Sequence, residues 1–376
     1  MTLPHVSASP VASRKDRRRG RLRVAIVAPP WFDVPPDGYG GIEQMCGELA
    51  NGLVARGHDV TLIAAGEDRT DATFASTFEE TPPGLGGPEG AGMELLHTAR
   101  AESQLQELDV DVVHDHTFAG PMLATCRDVP TVVTAHGPIP EETAALYREL
   151  GNISLVAISN SQRSQWPSLP WVATVYNGVE VDSYPFSEDK DGSFLFLGRM
   201  HPDKGVHLAI DVARAAGKKL VIAAKCSEPT EQRYFEAEVE PRLGPDVDYL
   251  GLADAERKRD LLQRSSALLF PIQWEEPFGL VMVEAMACGT PVIALRRGSV
   301  PEVVAEGVTG FVCDDLDEMV AASARVHELE PRACRKHARA WFDDDVMVQR
   351  YEAVYRSVVA GRTGRSDDVS ETAPEA

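Results

Sequence analysis

Glu276 and Glu284 stand eight positions apart in the run E-E-P-F-G-L-V-M-V-E-A-M-A-C-G-T-P-V-I-A, around the turn Pro277-Phe278-Gly279. The first N–H groups of a helix have no intrahelical partner and sit at the positive end of its dipole. The amides of Phe278, Gly279 and Leu280 can therefore receive an anion. Glu284 lies about one and a half turns further in, at ~3.6 residues per turn, and offers two acceptor oxygens suited to a ribose diol. Glu276, kept outside the helix by Pro277, is free to face a sugar. A bare pair of glutamates could equally mark a solvated helix face. The flanks supply the context a nucleotide-sugar site needs: an apolar strand (267–271), a turn, a helix and a second apolar strand (291–294).

Three further constellations could do chemistry. In Gly198-Arg199-Met200-His201-Pro202-Asp203-Lys204-Gly205, two cations and a helix start converge on one spot, which suits a phosphate and would also suit a surface loop. Gly38-Tyr39-Gly40-Gly41 follows the first strand, and its glycines let the backbone approach a ligand closely. As a dinucleotide loop it is weak: the third glycine is missing and no acidic residue ends the second strand. His114, His116 and His136 each end a strand; H-x-H can signal a metal, but no third ligand with suitable spacing is evident. Asp109-Val110-Asp111 and Asp246-Val247-Asp248 imitate a D-x-D metal site, yet both immediately precede apolar strand residues and read as strand-entry aspartates.

The elements that must position these groups alternate strand and helix. The first half reads as a strand over 24–28, a helix over 41–56, a strand over 59–65, a Pro/Gly-rich loop over 81–92, a helix to about Leu108, and strands over 110–114, 131–134 and 155–158. The pattern restarts with a strand over 193–197, a helix over 206–216, a strand over 220–223, a helix over 231–239, a strand over 247–250 and a helix over 254–264. Such alternation predicts an α/β chain: two doubly wound parallel sheets, with a hinge near residue 185 and ligands in the cleft at the strand ends.

The segment holding Glu276 and Glu284 resembles the E-x7-E motif of the retaining family 4 glycosyltransferases, the glycosyl transferases group 1, which have the two-domain GT-B fold. The likeness covers roughly residues 22–358. It implies an acceptor domain over 22–185, a donor domain over 186–345 and a helix over 346–360 that crosses back to the first domain; outside it, 1–21 reads as a disordered basic arm and 361–376 as a disordered tail. It further implies transfer of a hexosyl group from a nucleoside diphosphate sugar to an acceptor hydroxyl with retained configuration, without cofactor or metal. Arg199 and Lys204 would hold the diphosphate, with the Gly40 and Gly41 amides opposite. Glu276 would orient the sugar, Glu284 the ribose, and His136, in T-A-H-G-P, would lie at the reacting centre. His116 is a candidate acceptor contact, and Leu250, in Y-L-G-L, a candidate base contact. The chain departs from the family at Ala224-Lys225-Cys226-Ser227-Glu228, where a glycine-rich turn is usual, and Lys225 is a candidate extra contact to phosphate or base. A GT-B epimerase or phosphorylase, or a silent nucleotide-sugar binder, would share much of this cleft.

Composition narrows the partners. Residues 24–185 carry six Arg, no Lys and 23 Asp/Glu, against a net charge of −21 for the chain. That field opposes nucleic acid and anionic membranes, and favours a neutral or cationic small molecule or a neutral glycan as acceptor. No run approaches the ~18 apolar residues of a membrane span. The scattered Cys46, Cys126, Cys226, Cys288, Cys313 and Cys334 suggest reduced thiols and a cytoplasmic protein. Oligomeric state leaves no mark on the sequence.

Overall fold

The computed structural model describes residues 20–83 and 88–361. Most of the expected basic arm and tail lies outside these residues. The first sheet holds β1 (Arg23–Val27), β2 (Asp59–Ala65), β3 (Thr73–Phe78), β4 (Val112–Asp115), β5 (Thr131–Ala135), β6 (Ile153–Ala157) and β7 (Trp171–Thr174). Their spatial order is β3-β2-β1-β4-β5-β6-β7, and every pairing is parallel. The second sheet holds β8 (Phe194–Arg199), β9 (Leu220–Lys225), β10 (Val247–Tyr249), β11 (Ala267–Phe270), β12 (Val292–Leu295) and β13 (Gly310–Cys313), in the order β10-β9-β8-β11-β12-β13, again all parallel.

Both faces of each sheet are covered, and successive strand residues serve opposite layers. Val24 and Ile26 of β1 enter one core while Ala25 and Val27 enter another. Phe194 and Phe196 of β8 face away from Leu195 in the same manner. The order of strands reverses between β1 and β4 in one sheet and between β8 and β11 in the other. Loops that leave strands on either side of such a reversal point diverge and open a crevice. Arg199 ends β8, and the Glu276 segment follows β11, so the second crevice collects both groups.

Edge elements differ from expectation. β3 (T-F-A-S-T-F) and β7 (W-V-A-T) flank the first sheet and lack the apolar run of a strand buried on both faces. The helix read to Leu108 ends at Leu105, and the one read over 231–239 is α-helical only over Pro229–Tyr234 before widening to a π turn.

The last helix, Asp344–Val359, belongs to the first domain. Met347, Val348, Tyr351, Val354, Tyr355 and Val358 recur at helical spacing and join the core of β1 and the helix Gly41–Ala55. Two chain passes therefore link the domains, and they run side by side: Val179 N donates to Phe342 O (2.9 Å) and Asp344 N to Val179 O (3.0 Å). A second contact closes the seam. Glu302 accepts from Asn160 N (2.7 Å) and Ser161 N (2.6 Å), the start of the helix Asn160–Gln165, and from Tyr176 Oη (2.9 Å).

Candidate active site

The second domain builds one wall from two loops tied together. After β8, His201 caps the short turn Pro202–Lys204, and Gln273 N from the other loop donates to Asp203 O (2.7 Å). The 271–279 segment then delivers Glu276 and enters the helix Leu280–Ala287 at Gly279. Each glutamate has its own lysine. Glu276 is ion-paired with Lys204 and accepts from Trp274 Nε1 (3.1 Å), while Glu284 accepts from Lys258 Nζ and Tyr184 Oη at 2.8 and 3.0 Å. The Arg199 guanidinium has no carboxylate partner among the described residues.

The Glu276 segment is held from behind by a neighbouring turn. Gly298 N donates to Glu275 Oε2 (2.6 Å), Ser299 N to Glu276 O (2.9 Å), and Ser299 Oγ to Phe278 O (2.7 Å). Neither Gly298 nor Ser299 is visible as a site residue in the sequence, because the contact joins positions over twenty apart.

Across the cleft, the loop Gly38–Gly41 leads into the helix Gly41–Ala55. A side chain at Gly41 would sit 3.2 Å from Leu280 Cδ1, so the two helix starts face each other closely. Together the walls enclose a cavity of about 320 Å³. Gly40, Gly41, His136, Arg199, Lys204, Glu276, Phe278, Gly279, Leu280 and Glu284 all line it.

Three expected contacts do not. Leu250 directly follows β10, but its N still donates to Ile222 O of β9 (2.9 Å) and its side chain packs on the core below. Leu252, 61 % exposed, and Ala253 line the cavity instead, after the chain has left the strand. Lys225 does not line the cavity, and its charge is already paired with Glu228 (2.7 Å) and Glu231 (3.2 Å). His116 is buried behind His136, with 2.8 Å between its Nδ1 and His136 Nε2. The D-x-D aspartates serve strand entry: Asp111 holds Arg23 (3.0 Å), Asp246 holds Arg214 (2.8 Å), and Asp248 holds Lys219 (2.6 Å).

Lys258 is a lining residue that the motifs do not mark. It precedes the buried Leu261 and Leu262 by three and four positions, which places it on the inward stripe of its helix. That spacing was the available signal.

Burial governs the ionisation here. It pushes His136 down to about 3, and His114 and His116 well below the usual imidazole range, so all three are neutral at pH 7. Burial also raises Glu48 to about 8 against donation from Gln44 Nε2 (2.9 Å), with Asp344 and Glu284 adding repulsion. The folded value of Glu48 exceeds its unfolded one, near 4.5. The folded state therefore holds the extra proton, and stability is lost as pH rises from about 4.5 through 8. Glu48→Gln is expected to melt higher than the native chain, by a margin that grows between pH 5 and pH 9. Thermal unfolding at both pH values checks this, and a margin independent of pH refutes it.

Comparison with known proteins agrees with this geometry. Residues 183–341 match the model "Glycosyl transferases group 1", and residues 39–183 match "Glycosyltransferase Family 4". Glycogen synthase of Mycobacterium tuberculosis is 28 % identical over 85 % of this chain and 89 % of its own length. Phosphatidyl-myo-inositol mannosyltransferase of Mycolicibacterium smegmatis is 26 % identical over 93 % of this chain and all of its own. Among solved structures, AviGT4, a glycosyltransferase involved in avilamycin A biosynthesis, superposes with a TM-score of 0.70 at 27 % identity, covering 90 % of this chain and 98 % of that one. HepE of Anabaena, solved with UDP-glucose, shares the fold with a TM-score of 0.69 at 18 % identity, covering 90 % of this chain and 100 % of that one. The two matched models meet at residue 183 and between them take in both walls of the cleft: this chain is a glycosyltransferase of family 4, built on the GT-B fold.

Proposed function

We propose that the enzyme moves a glycosyl group from a nucleoside diphosphate sugar to an acceptor hydroxyl, with retention of configuration and without a metal ion or cofactor. The observation that carries this reading is Arg199, which lines the cavity without a carboxylate partner among the described residues, opposite the start of the helix Gly41–Ala55. As the bond from C1 to the diphosphate oxygen breaks, its electron pair goes to the diphosphate. Arg199, Lys204 and the free N–H groups of two helix starts then neutralise charge where a metal would otherwise do so. Both glutamates lining the cavity are held by lysines, which fits them to bind rather than to attack. In this reading the acceptor oxygen bonds to C1 on the face the diphosphate leaves, and the acceptor proton passes to the departing diphosphate.

Glu284, with Lys258 beside it, is the ribose contact, and Glu276 and His136 face the sugar. The acidic first domain, with six Arg and no Lys over 24–185, supports a neutral or cationic small molecule or a neutral glycan as acceptor. We place the enzyme in the cytoplasm; its free cysteines support that, and no helix of the described residues is long and apolar enough to cross a membrane.

Incubation with a panel of nucleotide sugars, UDP-glucose among them, and acceptors including glycogen and phosphatidyl-myo-inositol tests the reading. Diphosphate released only when an acceptor is present, with the product anomer matching the donor, is the expected result. An interconverted donor, or binding without turnover, overturns it.

A further inference from the structure

His116 does not reach the cavity, yet it is joined to the histidine that does. His116 Nδ1 and His136 Nε2 are 2.8 Å apart, and His116 is 4 % exposed. Behind it, the His114 ring packs against the His116 ring, tilted by 48° with centroids 3.8 Å apart. His114 is itself fixed at both nitrogens, Nδ1 to Tyr355 Oη (2.6 Å) and Nε2 to Thr134 Oγ1 (2.8 Å), and Thr134 Oγ1 meets Tyr351 Oη (2.9 Å). Both tyrosines belong to the last helix, Asp344–Val359. An unbroken series of side chains thus runs from that helix to the cavity.

Two neutral imidazoles that share an N···N hydrogen bond have one proton between them, and two arrangements are open. If His136 donates, the proton of His116 must sit on its Nε2, which is buried and has no hydrogen-bond partner. A buried N–H without an acceptor costs more than a buried lone pair without a donor. If His116 donates instead, only a lone pair is left unmet at Nε2, and His136 carries its own proton on Nδ1.

We propose that His116 is a positioning residue: it donates Nδ1–H to His136 Nε2, and so fixes His136 as an Nδ1–H donor toward the bound ligand. The Tyr355–His114 pair holds the plane of His116 and so sets the aim of that donation. This rests on the reading of the cavity as the donor-sugar site, because the ring must offer a hydrogen to a sugar oxygen rather than receive one.

The protonation pattern can be read without any substrate. Long-range ¹H–¹⁵N correlation spectra of the full chain labelled at histidine, with assignments from His116→Asn and His136→Gln, are expected to show both residues as Nδ1–H tautomers at pH 7. His136 found as the Nε2–H tautomer overturns the proposal, whichever sugar the enzyme uses. With a donor in hand, His116→Leu is expected to lower kcat by about tenfold with little change in KM. His116→Asn, whose amide nitrogen stands where Nδ1 stood, is expected to recover most of that loss. Asn as damaging as Leu, or Leu without effect, also overturns it. Should the Leu variant fail to fold, the native spectrum and the Asn variant decide. If no donor turns over, the cavity reading fails and the tautomer result still stands on its own.

Discussion

Lys204→Ala is expected to slow transfer by about 10²- to 10³-fold, the usual consequence of removing one group that meets charge developing in a transition state. The residue sits in a confined place, with its side chain 17 % exposed, its ammonium 5.2 Å from the centre of the Trp274 ring, and Glu276 as its ion-pair partner. Alanine therefore does two things. It removes a cation from the wall proposed to meet the diphosphate, and it leaves the carboxylate of Glu276, 10 % exposed, without its counter-charge. The two effects separate in kinetics. Loss of the diphosphate contact lowers kcat, whereas a displaced Glu276 also raises KM for the sugar. Glu276→Gln alone keeps Lys204 available and is expected to cost less in kcat. Full transfer activity in Lys204→Ala would strike Lys204 from the proposed metal-free mechanism and leave Arg199 and the helix starts to carry it alone.

Gly298→Ala is expected to cut kcat/KM by about 10²-fold, although Gly298 touches no ligand in the proposed mechanism. Its φ is +55°, and an added Cβ would lie 2.2 Å from Glu276 O and 2.4 Å from Glu276 N. Backbone atoms cannot rotate away, so the 275–279 segment has to shift, and Ser299 loses its hold on Glu276 O and Phe278 O. The helix start and Glu276 then move off the geometry that both contacts need. Gly307→Ala provides the control. Its φ is also positive, at +68°, but no atom lies within 4 Å of the added carbon. It bears the conformational cost, of order 1 kcal/mol, and is expected to bind nucleotide normally. Titration calorimetry with the nucleoside diphosphate, together with melting curves, distinguishes the pair; equal nucleotide affinity in both variants would defeat the argument.

Much of the donor wall is legible because its parts are contiguous in the chain. Glu276, Phe278, Gly279, Leu280 and Glu284 fall within one helical entry, and Arg199 and Lys204 within one turn. The support is not legible, because the Gly298 and Ser299 contacts depend on how a later turn folds back. Lys225 shows the limit of reading charge: a lysine after a strand suggests phosphate, and only the fold reveals that Glu228 and the fully buried Glu231 already hold it. Leu250 and Leu252 differ by whether the backbone is still bonded to β9, a boundary that apolar spacing does not mark. His116 stays off the cavity wall for a related reason. A histidine at a strand end can face the ligand or the layer behind it, and alternation places His114 and His116 on the same side, one against the other.

The paired crossings at Val179 and Asp343 bear on how this molecule can move. Two independent linkers would let the lobes twist, slide and swing. Here both linkers are stitched to each other at one point, and the second passes straight into a helix packed in the opposite lobe. Together with the bonds from Asn160, Ser161 and Tyr176 to Glu302, the paired crossings tie the two lobes along one seam. Tyr184, just beyond the first crossing, donates to Glu284, so the proposed ribose contact is anchored to the segment that crosses between the lobes. A nucleoside held at Glu284 would therefore rest against a residue that the seam between the lobes itself keeps in place.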